Sequence, residues 1–381
     1  MITQPVWVES DDELRDLCAR WATLDALAVD SEFIRVDTFF PKLGLLQVCD
    51  GQGSYLLDPL SLTQWDAFRS ILSNPDITKV LHSCSEDLQV FQVYFGCMPA
   101  GLFDTQRAAA FLGYGYSLSY QNLVRELLDL EVPKGETRSD WLRRPLSEQQ
   151  CVYAALDVAW LLSLHDILAK KLEERGFVSW FREECEQMID TALLAEDKSQ
   201  WPTLYQGMGA AWRLDTSQLA VLRELCIWRE RTARDRDKPR SWIAKDADLI
   251  LLAETRPRHV DDLLQVDELS PAVRKHQAAS IVGVIASVEP HELAEELPAG
   301  NRPLTSGQRR RLKRCQAVVR AVSEETGIAV ELLARKKQLI NLLLSHDNNK
   351  DFVWPDELDG WRRDLLENGL IDALEASAAE A

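Results

Sequence analysis

The hydrophobic and polar positions of the chain change rhythm about halfway along. In the first 170 residues, short apolar runs of strand length alternate with helical repeats. Residues 26–29 (Ala-Leu-Ala-Val) lead into Asp30-Ser31-Glu32-Phe33, and residues 43–48 and 54–57 form two more runs across the turn signal Asp50-Gly51-Gln52-Gly53. These predict an antiparallel meander. Residues 60–72 carry helical spacing and stop near Asn74-Pro75, and 77–81 is a β-branched, apolar strand. Ser83-x-x-Glu86 has the form of a capping box and predicts a helix through Phe95. A short strand at Leu102-Phe103, a helix over 105–112 and one long helix over 147–175 complete the pattern. Strands first, then alternating strand and helix, predict an α/β domain with a mixed sheet over residues 1–175.

Residues 176–209 read as a connecting helix and linker, the polar end of which carries Pro202 and Gly207. Beyond it strand signals nearly vanish. Leu219, Leu222, Leu225 and Trp228 follow helical spacing, as do Leu249, Leu252 and Ala253, and prolines punctuate short helices. Two all-helical domains are expected, over 210–290 and 300–375, with a frayed tail at 376–381.

Composition narrows the class. The chain has 381 residues, 46% hydrophobic and 27% charged, which excludes intrinsic disorder over most of its length. The first 20 residues are polar and lack a secretory pattern, and no apolar run is read as approaching a membrane span. Eight cysteines occur without a CxxC pair, which points to reduced thiols rather than disulfides or zinc, and so to the cytoplasm. No heptad seam is evident, so a monomer is expected. The net charge of −18 argues against a nonspecific DNA-coating protein. Residues 1–170 hold 24 acids against 13 bases, so some of those acids are candidates for a metal site.

Three patterns carry that chemistry. Asp30 and Glu32 are two apart on a strand and share a face. Asp87 falls in the first turn of a helix, where the dipole favours an acid. Tyr153 and Asp157 are four apart on a helix, beside the apolar stripe of Val152, Leu156, Val158, Leu161 and Leu162. Each has a bland explanation alone: a strand end in solvent, a dipole interaction, the edge of a stripe. Gathered in one site, four carboxylates would repel and raise one another's pKa. Divalent cations relieve that repulsion, and oxygen-only ligands suit Mg²⁺ or Mn²⁺. Two such ions about 3.5–4 Å apart can hold the attacking water and the leaving oxygen of a phosphodiester.

Asp30-x-Glu32, Asp87 and Tyr153-xxx-Asp157 resemble, in order, the three motifs of the tyrosine-bearing branch of the DEDD exonucleases. The flanking words are Val29-Asp30-Ser31-Glu32-Phe33, Phe40-Pro41-Lys42-Leu43-Gly44-Leu45-Leu46-Gln47, His82-xx-Ser85-Glu86-Asp87-Leu88, Phe103-Asp104-Thr105-Gln106 and Arg138-Ser139-Asp140-Trp141 through Pro145-Leu146. They resemble the ribonuclease D family over residues 1–290. Leu225-xx-Trp228-Arg229-xxx-Ala233-Arg234 with Pro239, Ile243, Asp246, Leu249 and Pro257 resembles an HRDC domain.

The resemblance implies an RNase H-like 3′-5′ exonuclease domain followed by two HRDC-type helical domains. It implies hydrolysis of RNA from a free 3′ end, with precursor tRNA as substrate, release of 5′-mononucleotides, and two divalent ions, Mg²⁺ or Mn²⁺. Asp30 would bridge the ions, Glu32 and Asp157 would complete the site of the one that binds the nucleophile, and Asp87 would support the other. Glu32 would also touch the terminal 3′-hydroxyl, and Tyr153 would orient the water.

The candidate RNA contacts are Phe33, His82, Leu88, Arg138, Arg229, Arg234, Arg309, Arg310 and Arg311. For Phe33, His82 and Leu88 the competing reading is core packing; for the arginines it is a solvated face. Residues 229–245 hold seven bases and three acids, and 301–321 hold six arginines and one lysine without an acid, a stripe that suits phosphate. A DNA 3′-5′ exonuclease and a noncatalytic RNA-binding scaffold are the rival classes.

Overall fold

The computed structural model describes residues 4–133, 135, 139–288, 303–348 and 354–376. They fall into two compact units: the described parts of Met1–Ile34, Lys42–Ala192 and Leu304–Ala381, and of Arg35–Pro41 and Leu193–Pro303.

The first unit opens with β1 (Val6–Val8), α1 (Asp11–Trp21), β2 (Ala26–Ile34), β3 (Lys42–Cys49), β4 (Ser54–Leu57), α2 (Asp66–Leu72), β5 (Thr78–Leu81), α3 (Ser85–Phe95), β6 (Leu102–Asp104) and α4 (Thr105–Phe111). It continues through α5 (Tyr120–Leu128), α6 (Glu148–Ala159), α7 (Leu161–Glu174) and α8 (Val178–Leu194). The sheet order is β1-β4-β3-β2-β5-β6. β2, β3 and β4 form the expected antiparallel meander, while β5 and β6 run parallel to β2 and make the sheet mixed.

Register places the functional strand. β2 pairs with β3 through Ile34 but with β5 only over residues 26–28. Asp30 and Glu32 therefore lie past the point where β5 covers that edge. A register shift between Glu32 and Phe33 then turns the strand.

Several elements differ from the sequence expectation. The sequence pattern does not reveal β1 or α1: a three-residue strand is too short to show a period, and α1 is dominated by charged positions. α5 was also missed. The Ser83 capping box does not form: Ser83 is left-handed at φ 59°, and the helix starts after Cys84 without a side-chain cap. The Cys84 N–H instead donates to Asp104 Oδ2 at 2.8 Å, and Asp104 also caps α4. The long helix over 147–175 is broken at Trp160 into α6 and α7. Together, Glu148–Glu174 has the length and hydropathy of a membrane span, contrary to the sequence reading. Its Leu161, Leu164, Leu168 and Leu172 are all buried in the core of the unit.

The second unit is helical: α9 (Thr216–Asp235), α10 (Arg240–Ile243), α11 (Asp246–Thr255), α12 (Val260–Leu264), α13 (Pro271–His276) and α14 (Ala278–Ser287). Its core gathers Leu219, Leu222, Leu225 and Leu249 with Phe39, from the segment that joins β2 to β3. Asp237 accepts the backbone N–H groups of Phe39 and Phe40 at 2.9 and 3.0 Å, which ties that segment into the unit.

The last helices, α15 (Ser306–Thr326), α16 (Val330–Leu333), α17 (Lys336–Asn348) and α18 (Trp361–Glu375), share one hydrophobic core with the sheet domain. Trp361 is 1% exposed and packs on Phe111 and Trp180. Beside it a buried Arg362–Glu184 ion pair closes at 2.5 Å, and Arg362 also donates to the Leu332 carbonyl. Hydrogen-bonded this fully, the pair fixes the docking of α18. All eight cysteines are free thiols.

Candidate active site

Three of the four predicted acids converge. Asp30 and Glu32 project from β2 and Asp157 from the last turn of α6, each half-buried, with one carboxylate oxygen apiece within 4.8 Å of the others. Asp87, in the first turn of α3, stands beside this triplet rather than in it. It is 8% exposed, and its Oδ1 accepts the Ser31 hydroxyl at 2.5 Å.

The electrostatics follow from crowding. Burial, then repulsion from Asp87, Asp157 and Glu32, holds the Asp30 carboxyl well above the usual carboxylate range. Burial and the charges of Asp157 and Asp87 push Glu32 up to about 9. Burial raises Asp157 to about 7, against a lowering hydrogen bond from the Tyr153 hydroxyl. Asp87 rises to about 6, mainly through burial, with the Ser31 bond opposing. Burial and the neighbouring Asp157 and Glu32 push the Tyr153 phenol upward, so it stays protonated at neutral pH and donates to Asp157 rather than acting as a base.

A set of oxygen-only donors, whose charges raise one another's pKa, fits a hard divalent cation. Asp30, Glu32 and Asp157 would hold it, with Asp87 next to them.

Two groups that the sequence reading missed support the acids. The Tyr120 hydroxyl donates to the Leu156 carbonyl at 2.8 Å and accepts the Trp160 N–H at 3.1 Å, and so fixes the helix end that carries Asp157. Ser54 Oγ donates to the Ala155 carbonyl at 3.2 Å. No local pattern announces Tyr120; Ser31 could have been suspected from its place between two acids.

The candidate RNA contacts divide. Phe33 is half-buried against the core, and Leu88 is 1% exposed within it, so Leu88 offers no surface to a base. His82 has both ring nitrogens engaged, with Thr105 Oγ1 at 2.9 Å and the Leu118 carbonyl at 3.2 Å, and burial lowers its pKa. Arg138 lies outside the described residues.

Arg229 is committed to Asp246 at 2.6 Å and to the Ala244 carbonyl. Arg234 pairs with the buried Glu230 and with Glu196, over the Phe39 ring. Both are structural clamps, not free phosphate ligands. Arg309 Nε donates to the Leu304 carbonyl, and Arg311 pairs with Asp347 at 2.6 Å. Arg310 is exposed and has no partner among the described residues.

A mixed sheet with a cluster of acids at the uncovered edge of its central strand, followed by helical modules, defines a 3′-5′ exonuclease. Comparison with known proteins agrees. The 3′-5′ exonuclease family matches residues 5–173, the HRDC domain family residues 218–285, and the C-terminal HRDC domain of ribonuclease D residues 307–370. Ribonuclease D of Pseudomonas paraeruginosa is 40% identical over 378 residues, covering 97% of this chain and 98% of its own. That of Escherichia coli is 35% identical over 375 residues, covering 97% and 98%. The crystal structure of Escherichia coli RNase D, described as an exoribonuclease involved in structured RNA processing, superposes with a TM-score of 0.85 at 34% identity, covering 98% of this chain and 99% of that one. The chain belongs to the ribonuclease D family of 3′-to-5′ exoribonucleases.

Proposed function

We propose that this protein trims the 3′ ends of structured RNA, precursor tRNA among them, to 5′-mononucleotides at a site holding two divalent cations. The observation that carries this reading is the convergence of Asp30, Glu32 and Asp157 to within 4.8 Å. A third carboxylate in that space is unfavourable unless a cation compensates it.

When bound, the cations would neutralise the acids and lower the pKa of the attacking water. Asp30, in the cluster with Glu32 and Asp157, would contribute to both ion sites. Asp87, held by Ser31, would support the second from its side. Tyr153 would keep its proton, fix Asp157 through their hydrogen bond and orient the water for in-line attack. Glu32 would meet the terminal 3′-hydroxyl, which makes a free end a requirement. Arg310 supplies an exposed positive charge for the phosphates of the RNA body. Unpaired thiols suit a reducing cytoplasm.

The test uses 5′-end-labelled RNA and DNA of matched sequence with Mg²⁺, Mn²⁺ or EDTA. A ladder shortening from the 3′ end, faster on RNA and absent in EDTA, is expected. Faster cleavage of DNA favours the deoxyribonuclease reading, equal rates contradict a preference for RNA, and internal cuts contradict the exonuclease reading.

A further inference from the structure

The segment 139–146 shapes the site without contributing an acid to it. Trp141 is 2% exposed and packs with Leu45 and Leu56 of the sheet and with Ala154 and Ala155 of α6. Arg144 anchors it. The guanidinium meets Asp58 in a fork, Nε to Oδ2 at 3.0 Å and Nη2 to Oδ1 at 2.5 Å. It also donates to the Trp141 carbonyl at 2.9 Å and the Gly44 carbonyl at 2.7 Å. Asp58 is 2% exposed and also accepts the Leu60 N–H. Such a forked, charge-assisted pair sets geometry tightly. Gly44 is a glycine for a reason: a Cβ there would come within 2.7 Å of both Trp141 Cβ and the Trp141 carbonyl oxygen.

What this anchored indole touches is Tyr153. The two rings lie 6.2 Å apart at 32°. Gly135 meets the same ring, since a Cβ on it would lie 1.9 Å from Tyr153 Cδ2. Tyr153 is partly exposed, and its hydroxyl bonds Asp157. An aromatic side chain on a helix face would otherwise explore more than one rotamer.

We propose that Trp141 is a positioning residue for the reaction: anchored by Arg144 and Asp58, and aided by Gly135, it fixes the Tyr153 ring so that the hydroxyl reaches Asp157 and the attacking water. The inference rests on the assignment of Tyr153 to the hydrolytic site. An off-position of about 1 Å in such a group costs up to about a hundredfold in rate.

The experiment is a double-mutant cycle on the full chain. Trp141→Leu, Trp141→Phe and Gly135→Ala are each made with Tyr153 intact and with Tyr153→Phe. Single-turnover rate, half-saturating RNA concentration and circular dichroism melting are measured. Trp141→Leu is expected to lower the rate about tenfold or more, with half-saturation within about twofold, and Trp141→Phe to recover most of the loss. In the Tyr153→Phe background, Trp141→Leu should cost less than about twofold more, since residues acting through one group are non-additive. A wild-type rate for folded Trp141→Leu, or an equal fold-loss in both backgrounds, overturns the proposal. Should Trp141→Leu not fold, Gly44→Ala, whose Cβ would press on Trp141, carries the same cycle with the same two outcomes. A wild-type rate for Tyr153→Phe alone instead overturns the assignment of Tyr153.

Discussion

Glu32 shows most directly what the site asks of single residues. Its carboxyl is pushed up to about 9, with Asp157 at about 7 and Asp87 at about 6, while the same groups in an unfolded chain titrate near ordinary carboxylate values. The folded state therefore binds more protons than the unfolded one from about pH 4 up to those values, and stability falls as pH rises through the window. In EDTA, the melting temperature should drop between pH 5 and pH 8. Mg²⁺ should restore more of it at pH 8 than at pH 5, because a ligand that binds only the folded, ionised site stabilises it. A melting temperature flat with pH, or a Mg²⁺ effect equal at both values, would contradict the crowded-acid description. At this scale the sequence was legible where chemistry is local. Spacing of two on a strand and four on a helix put Asp30, Glu32, Tyr153 and Asp157 on usable faces. It was not legible where partners are distant: Arg229 and Arg234 look like phosphate ligands in sequence, and only folding shows Asp246, Glu196 and Glu230 taking up their charge.

At the scale of elements, β2 and α6 carry the acids, and each is held by something its own sequence does not announce. The apolar run of β2 predicts the strand, but the early end of its pairing with β5, which leaves Asp30 and Glu32 uncovered, is a matter of register. The end of α6 is set by Tyr120, forty residues away from Trp160 in sequence, so a continuous apolar period from 147 to 175 hid the break. Tyr120→Phe keeps the ring but leaves the Leu156 carbonyl and the Trp160 N–H without that partner. Such a loss costs about 1–3 kcal/mol when the groups stay buried. Chemical denaturation should report a loss of that size, with a lower hydrolysis rate as Asp157 loses its fixed support. Unchanged stability and rate would show that the hydroxyl is not what places the helix end. The capping box expected at Ser83 failed for a related reason: Asp104, brought in from β6, binds the Cys84 N–H instead.

The whole molecule joins acid-rich residues 1–170 to helices with basic runs, within a net charge of −18. Helical periodicity revealed the last helices but not what they pack on. Leu312, Trp361, Leu366 and Leu370 belong to the same core as the sheet. Removing residues 304–381 would uncover that core, so deletion cannot separate RNA binding from folding; substitution of exposed Arg310 can. The class of enzyme, by contrast, was legible from the order of three short motifs, because the reaction needs acids from separate elements in one place. Asp30→Asn tests that need most directly. It removes a charge without removing volume, so the variant should melt no lower than wild type in EDTA and still bind RNA. Its single-turnover hydrolysis of 3′-ended RNA should fall on the order of a thousandfold or more, as expected when a cation site that activates water is lost. Hydrolysis by the folded variant within about tenfold of wild type would contradict the account, since a rate so little changed means that the cluster is not where the bond is broken.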